Sequence, residues 1–312
     1  MAFGLFWFFL TVSVESLVAQ EELIFEHRLY LPIVGLAVVL VTGIYPLLRQ
    51  KPLKFTALIL VIATACSLLT YRRNFVWKDE FSLWDDAVRK SPKKARVHNG
   101  RGSVYARMGW LDEALSDFNK AIELQPTFAD FYINRGDVLT EKGLLDKALP
   151  QYNKAIQLSP KFAVAYNNRA SLYRKMGLQE QAFLDYNKAI EISPHFANAY
   201  NNRGVCYEEK GLLDKAFADY NKAIEIEPDL LSAYNHRASV YRKKGNLNLA
   251  LKDCDKAIEI NPHLAESYNN RAVLYFLRKE YDKCRQDVAK AQSLGFVVEA
   301  SLLKKLKEAL NP

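Results

Sequence analysis

The sequence predicts an all-α protein in two parts: an apolar, membrane-embedded front of about three helices, then a polar solenoid of stacked helical hairpins. Two observations predict it. Residues 1–71 are overwhelmingly apolar, whereas residues 72–312 are polar and regularly punctuated. In the polar part a 34-residue step recurs at independent positions. It holds for Pro92, Pro126, Pro160, Pro194, Pro228 and Pro262, and for Gly109, Gly143, Gly177, Gly211 and Gly245. The same step relates Arg101, Arg135, Arg169, Arg203, Arg237 and Arg271, and Ala114, Ala148, Ala182, Ala216 and Ala250, with Cys284 in sixth place. A sustained period of this length marks a supersecondary unit that cannot bury its own core and stacks on its neighbours.

The front divides into helices expected at about 1–18, 29–48 and 53–71. "LYLPIVGLAVVLVTGIYPLL" (29–48) has 20 uncharged residues and "FTALILVIATACSLLTY" (55–71) has 17, the length range of a membrane span. "MAFGLFWFFLTVSV" lacks the leading basic residue and the small-residue cleavage site of a signal peptide, so a third membrane helix is the preferred reading. The short connection "RQKPLK" (49–54) carries three positive charges, which places it in the cytoplasm and residues after 71 on the non-cytoplasmic, periplasmic or lumenal side. Arg72 and Arg73 oppose that orientation. The expected localisation is a multi-pass membrane protein with the bilayer as a partner.

The 312 residues carry a formal net charge of +8, but the basic and acidic side chains are interspersed. No clustered basic module implies nucleic acid. Cys66, Cys206, Cys254 and Cys284 form no CxxC pair and the histidines are scattered, so no metal, cofactor or catalytic residue is expected.

Counting Ala95 as position 1 gives six units, 95–128, 129–162, 163–196, 197–230, 231–264 and 265–298. In the fourth, Tyr200, Gly204, Tyr207, Ala216, Tyr220, Ala223 and Pro228 occupy positions 4, 8, 11, 20, 24, 27 and 32. The first three share one face of a first helix and the next three one face of a second. Small residues at positions 8 and 20 let the two helices approach, the glycine at 15 ends the first, and the proline at 32 closes the pair. This pattern resembles the tetratricopeptide repeat (TPR), and the resemblance implies an α-solenoid coiled as a right-handed superhelix. "EASLLKKLKEAL" within 299–312 reads as a capping helix. Residues 72–94 read as an amphipathic junction, with Trp84, Ala87 and Pro92 in the frame of a second helix; the missing first helix would be the end of the third membrane segment.

Units 2 and 4 share "EKGLLDKA" and units 3 and 5 share "RAS" and "YRK", a duplicated pair that alternates charge at Arg174-Lys175, Glu208-Glu209 and Arg242-Lys243. The alternation is read either as a solvated face or as a pattern matched to a partner.

On a helical wheel, positions 2, 5, 6, 9, 12 and 13 lie away from the core, on the side that in TPR proteins lines a concave groove for extended peptides. Position 5 holds Asn99, Asn167, Asn201, Asn235 and Asn269; position 6 holds Asn134, Asn168, Asn202 and Asn270, with His236 in unit 5. A primary amide both donates and accepts, so a row of amides can hold a peptide backbone without reading its sequence. The row resembles the asparagine ladder of O-linked N-acetylglucosamine transferase; the alternative is that these side chains satisfy neighbouring helices. The candidate peptide-binding residues are Asn134, Asn167, Asn168, Asn201, Asn202, Asn235, His236, Asn269 and Asn270. A chaperone-type carboxylate clamp is disfavoured, because position 5 is never lysine and position 9 never asparagine. The arginine at position 7 lies beside the core, facing aspartate at position 23 in all units but the second, so an intra-repeat ion pair such as Arg203–Asp219 is expected.

"FEHRLYLP" (25–32) and "RNFVWKDEFSLWDDAVRKSPKKARVHNGRG" (73–102) together resemble the last membrane segments and junction of the TPR-bearing transmembrane O-mannosyltransferases, within the C superfamily of membrane glycosyltransferases. Their catalytic acids sit in an early loop with no counterpart here, Glu21, Glu22 and Glu26 being misplaced for it. Two functions follow. One is a membrane-anchored TPR scaffold that docks an extended peptide or protein; the other is the C-terminal portion of a polytopic glycosyltransferase that lacks the catalytic loop and whose repeats present acceptor proteins.

Overall fold

The computed structural model describes residues 79–310, together with Ala57 and Val61. The membrane helices expected at 1–18, 29–48 and 53–71 lie outside the described residues, and among the described residues no helix is long and apolar enough to cross a membrane. Every regular element described is an α-helix, and the chain divides into two compact units, Met1–Leu124 and Gln125–Pro312.

In the first unit, α1 spans Glu80–Lys90, α2 Ala95–Arg107 and α3 Leu111–Leu124. Asp79 caps α1 by accepting from the Ser82 amide at 2.7 Å, with Glu80 in the first turn and Arg89 and Lys90 in the last, each charge complementing the helix dipole. Trp84 lies so close to Gly100 that a Cβ there would stand 2.5 Å from the indole. Asp85 reaches Arg101 Nη1 at 2.9 Å. Of the expected junction, residues 80–90 are thus helical and pack on α2.

The second unit contains α4 (Ala129–Glu141), α5 (Leu145–Leu158), α6 (Ala163–Lys175), α7 (Gln179–Ile192), α8 (Ala197–Glu209), α9 (Leu213–Ile226), α10 (Leu231–Lys243), α11 (Leu247–Ile260), α12 (Ala265–Leu277), α13 (Tyr281–Ser293) and α14 (Ala300–Leu310). Within this unit each helix packs on its sequence neighbours. First helices also meet the next first helix, α4 with α6, α6 with α8, α8 with α10 and α10 with α12, while second helices have no comparable contact. The row therefore bends with its first helices inside.

Small residues set the close approach. Ala148, Ala182, Ala216, Ala250 and Cys284 at position 20, and Ala155, Ala189, Ala223, Ala257 and Ala291 at position 27, are fully buried. A Cβ on Gly204 would lie 2.7 Å from the buried Tyr220 ring. Between helices, Gly143, Gly177, Gly211 and Gly245 hold φ between 73° and 78°, the left-handed cap that lets the chain reverse. The sixth repeat has Lys279 there, and it adopts φ 61° without a glycine's freedom. Leu302 and Leu306 of α14 cover Val288, Ala291 and Val298, closing the apolar end of the row.

Candidate functional site

From the third repeat to the sixth, the position-7 arginine ties its own repeat together and to the one before it. Arg203 donates from Nε and Nη2 to the two Asp219 oxygens at 2.8 and 2.7 Å, and from Nη1 to Asn187 of the preceding repeat at 2.7 Å. The rings of Tyr200 and Tyr207 flank its guanidinium at 5.5 and 5.8 Å. Arg169 repeats the arrangement with Asp185 and Asn153, Arg237 with Asp253 and Asn221, and Arg271 with Asp287 and Asp255. In the first unit Arg101 pairs with Asp117. The expected ion pair is present in all five repeats that carry the aspartate. The second repeat has Gln151 instead, which takes hydrogen bonds from Arg135 but offers no charge. Burial accordingly lowers the Arg135 pKa; in Arg203 burial is again the largest single influence, but the hydrogen bonds to Asp219, the Asp219 charge and the flanking tyrosines together raise the pKa.

On the inner side, one hydrogen-bonded chain runs through four consecutive repeats. Asn168 Nδ2 donates to the Asp137 carboxylate at 3.0 Å, and Asn167 Nδ2 to Asn168 Oδ1 at 3.0 Å. Asn202 Nδ2 donates to Asn167 Oδ1 at 3.1 Å, and Asn201 Nδ2 to Asn202 Oδ1 at 3.4 Å. His236 Nδ1 closes the chain on Asn201 Oδ1 at 2.9 Å; since that oxygen only accepts, the imidazole proton sits on Nδ1. All donors point the same way along the row, so each bond polarises the next, ending on a carboxylate.

The helical wheel put both amide rows on the groove surface; the structure separates them. Asn167, Asn201 and Asn235 at position 5 are buried, 7%, 3% and 4% exposed, beneath the inner face. Asn168, Asn202 and His236 at position 6 are half-buried, as are Asn134 in the second repeat and Asn269 and Asn270 in the sixth. The chain ends at His236: Asn235 turns its Nδ2 to Ser267 at 3.1 Å, and its Oδ1 is buried with no partner.

Tyrosines from the second helices reach under the small position-8 residues to side chains of the first helices, and one of them, Tyr152, joins the chain at Asp137. Tyr152 donates to Asp137 at 2.7 Å, and Tyr220 to Glu208 at 2.9 Å; Tyr186 bonds Ser171 at 2.9 Å. Glu208 also accepts from Ser239 and Lys243 at 2.8 Å each, and these bonds hold its carboxyl below its ordinary value despite burial. At Asp137 desolvation pushes the carboxyl up, against the hydrogen bonds from Tyr152 and Asn168 and the charge of Lys175. The alternating charges settle on one another: Arg174 pairs with Glu209 at 2.7 Å and Lys243 with Glu208 at 2.8 Å, linking successive repeats.

Sequence reasoning read Glu208 only as part of the charge alternation, and it missed the roles of Asp137 and of the position-25 row of Asn153, Asn187, Asn221 and Asp255. The recurring string "YNKA", with "CDKA" in the fifth repeat, was the available signal for that row. Among the described residues no cluster could hold a metal. Cys206, Cys254 and Cys284 are buried, and burial pushes their thiols up to about 11, 12 and 11, so they are poor ligands and nucleophiles.

Helical hairpins of one length, riveted through recurrent side chains and stacked on their neighbours, define an α-solenoid scaffold. Tetratricopeptide-repeat sequence profiles match residues 95–128, 197–230 and 232–264, 136–177 and 170–211, and 118–149 and 254–286. The chain belongs to the tetratricopeptide-repeat family. Among curated proteins, Protein O-mannosyl-transferase Tmtc3 of Drosophila melanogaster is 28% identical over 101 residues, 31% of this chain and 11% of its own length. Protein O-mannosyl-transferase Tmtc2 of the same organism is 36% identical over 101 residues, 31% of this chain and 10% of its own. The chain thus spans about a tenth of the length of these relatives. Among solved structures, a tetratricopeptide repeat protein from Parabacteroides merdae superposes with TM-score 0.60 at 25% identity, covering 78% of this chain and 98% of that one. The APC/C hetero-tetramer Cut9-Hcn1 gives TM-score 0.66 at 18% identity over 75% of this chain and 46% of that one, a likeness of fold.

Proposed function

We propose that this chain is a membrane-anchored scaffold that holds an extended peptide segment of a partner protein along the inner face of its second unit. The observation that carries the reading is the amide chain from Asp137 to His236. Asn168 and Asn202 each use one N–H and one lone pair within it, leaving one N–H and one lone pair for a ligand. Their neighbours hold them in place, so little side-chain entropy is lost on binding. A ligand read by such amides is recognised through its backbone. The anchor rests on the apolar stretches 29–48 and 55–71, and the solenoid is assigned to the non-cytoplasmic side on the charge of the 49–54 connection.

The test is to pan a random-sequence peptide display library on the full chain in detergent micelles, then titrate the selected peptides against Asn168→Ala/Asn202→Ala. With two hydrogen bonds at about 0.5–1.5 kcal/mol each, affinity should fall roughly 5- to 150-fold while the thermal transition persists. Selected peptides that bind the folded double variant equally well would overturn the reading.

The matches to the two O-mannosyl-transferases favour a second reading, in which the chain is the C-terminal portion of a polytopic glycosyltransferase and the same face presents acceptor polypeptides. Further membrane spans with an acidic early loop in the upstream reading frame would decide for it.

A further inference from the structure

The first unit carries an aromatic cluster at the N-terminal end of α1, the end that follows the apolar region in sequence. Phe81, in the first turn of α1, packs on Tyr105 at 5.4 Å and Trp110 at 6.2 Å between centroids, and Tyr105 stacks on Trp110 at 5.7 Å. An Arg107–Glu80 ion pair fixes the α2–α3 turn against that first turn. At its rim, Met108 and Trp110 are 49% and 47% exposed. Exposure alone is not distinctive: Leu144, Leu178 and Leu212 occupy the position of Trp110 in later repeats at 37–42%. What distinguishes this turn is its composition and its tether. Eight residues, 72–79, separate Glu80 from the end of the apolar stretch, so the first turn of α1 lies within roughly 30 Å of Tyr71 at full extension. Those residues read "RRNFVWKD", cations interleaved with Phe75 and Trp77, the composition of a membrane–water boundary.

We infer that the turn carrying Met108 and Trp110 docks on the membrane itself, seating its aromatic rim in the headgroup layer of the bilayer that holds residues 29–71. A tryptophan with one apolar face and one N–H suits that layer, which is apolar below and wet above. The exposed acids Asp112 and Glu113 follow on α3, so the surface fits zwitterionic rather than strongly anionic lipid. Such a contact fixes the first unit near the bilayer as a footing beside the covalent tether. The inference rests on the anchoring proposed above.

The test uses the full chain with Cys66→Ser, reconstituted into phosphatidylcholine vesicles, carrying an environment-sensitive dye at Met108→Cys or, for comparison, at Leu178→Cys. Lipids with a nitroxide near the headgroup should quench the dye at residue 108 and shift its emission to the blue, leaving the dye at 178 unaffected. Trp110→Ala should diminish the shift at 108. If vesicles carry the chain on flotation but the dye at 108 is unquenched, or both dyes are quenched alike, the docking is wrong and the anchor stands. A chain that fails to float overturns the anchor, and this contact with it.

Discussion

Replacing Arg203 with Met should be among the most damaging single changes on the inner half of the second unit. The side chains of Arg203 and Asp219 are 18% and 9% exposed, and two hydrogen bonds of 2.7–2.8 Å join them. Truncation leaves Asp219 buried without its cation, a loss of about 3–5 kcal/mol for a fully buried pair. Arg203 retains some solvent contact, so a value near 3 kcal/mol is expected. The bond to Asn187 is lost as well, which loosens the fourth repeat from the third. The assay is a double-mutant cycle of Arg203→Met and Asp219→Leu, read by urea unfolding and by amide exchange in α8 and α9. Each single change should cost about 3 kcal/mol, and the double change much less than their sum, because it leaves no buried charge. Single costs below about 1 kcal/mol, or strict additivity, would show that the pair is solvated and would refute the clasp.

Three further outcomes follow from the same geometry. Burial depresses the His236 pKa below 6.5, with Glu208 and Glu266 opposing and Arg174 adding to the depression. The unfolded chain therefore takes up the proton first, and stability should decline as pH falls from about 6.5 towards the lower folded value; His236→Asn should abolish that slope in thermal unfolding followed against pH. Lys279→Gly should raise stability by about 0.5–1 kcal/mol in urea unfolding, because an L side chain is held at φ 61° there. Asn202→Leu should cost about 1–3 kcal/mol by stranding the buried Asn167 oxygen, with faster amide exchange in α6 and α8 as the local readout.

The inter-repeat hydrogen bonds give the amides a role even before any ligand arrives. Stacking alone lets neighbouring hairpins slide, since alanine and tyrosine faces specify distance better than angle. The Arg203–Asn187 and Asn202–Asn167 bonds both join the fourth repeat to the third, and two such ties fix that angle. Under the proposed peptide-binding function, curvature set in advance would lower the ordering cost of binding.

The sequence by itself determined the hairpin and what closes it. The 34-residue step, the small residues at positions 8, 20 and 27, and the turn glycines are local requirements. Arg203 and Asp219 sit 16 residues apart on two helices joined by a short turn, so their meeting follows from one hairpin's geometry. Relations between hairpins were decided only by the tertiary structure. A helical wheel fixes a side chain's direction about its own axis, and on that basis Asn201 and Asn202 share a face of α8 with Glu208. It is silent on the gap between one first helix and the next. That gap, set by how the second helix packs between them, puts Asn167 within reach of Asn202 and Arg174 within reach of Glu209. Amides and charges that look outward on a single helix thereby become partners, because contacts 35 residues apart depend on the stacking of whole repeats.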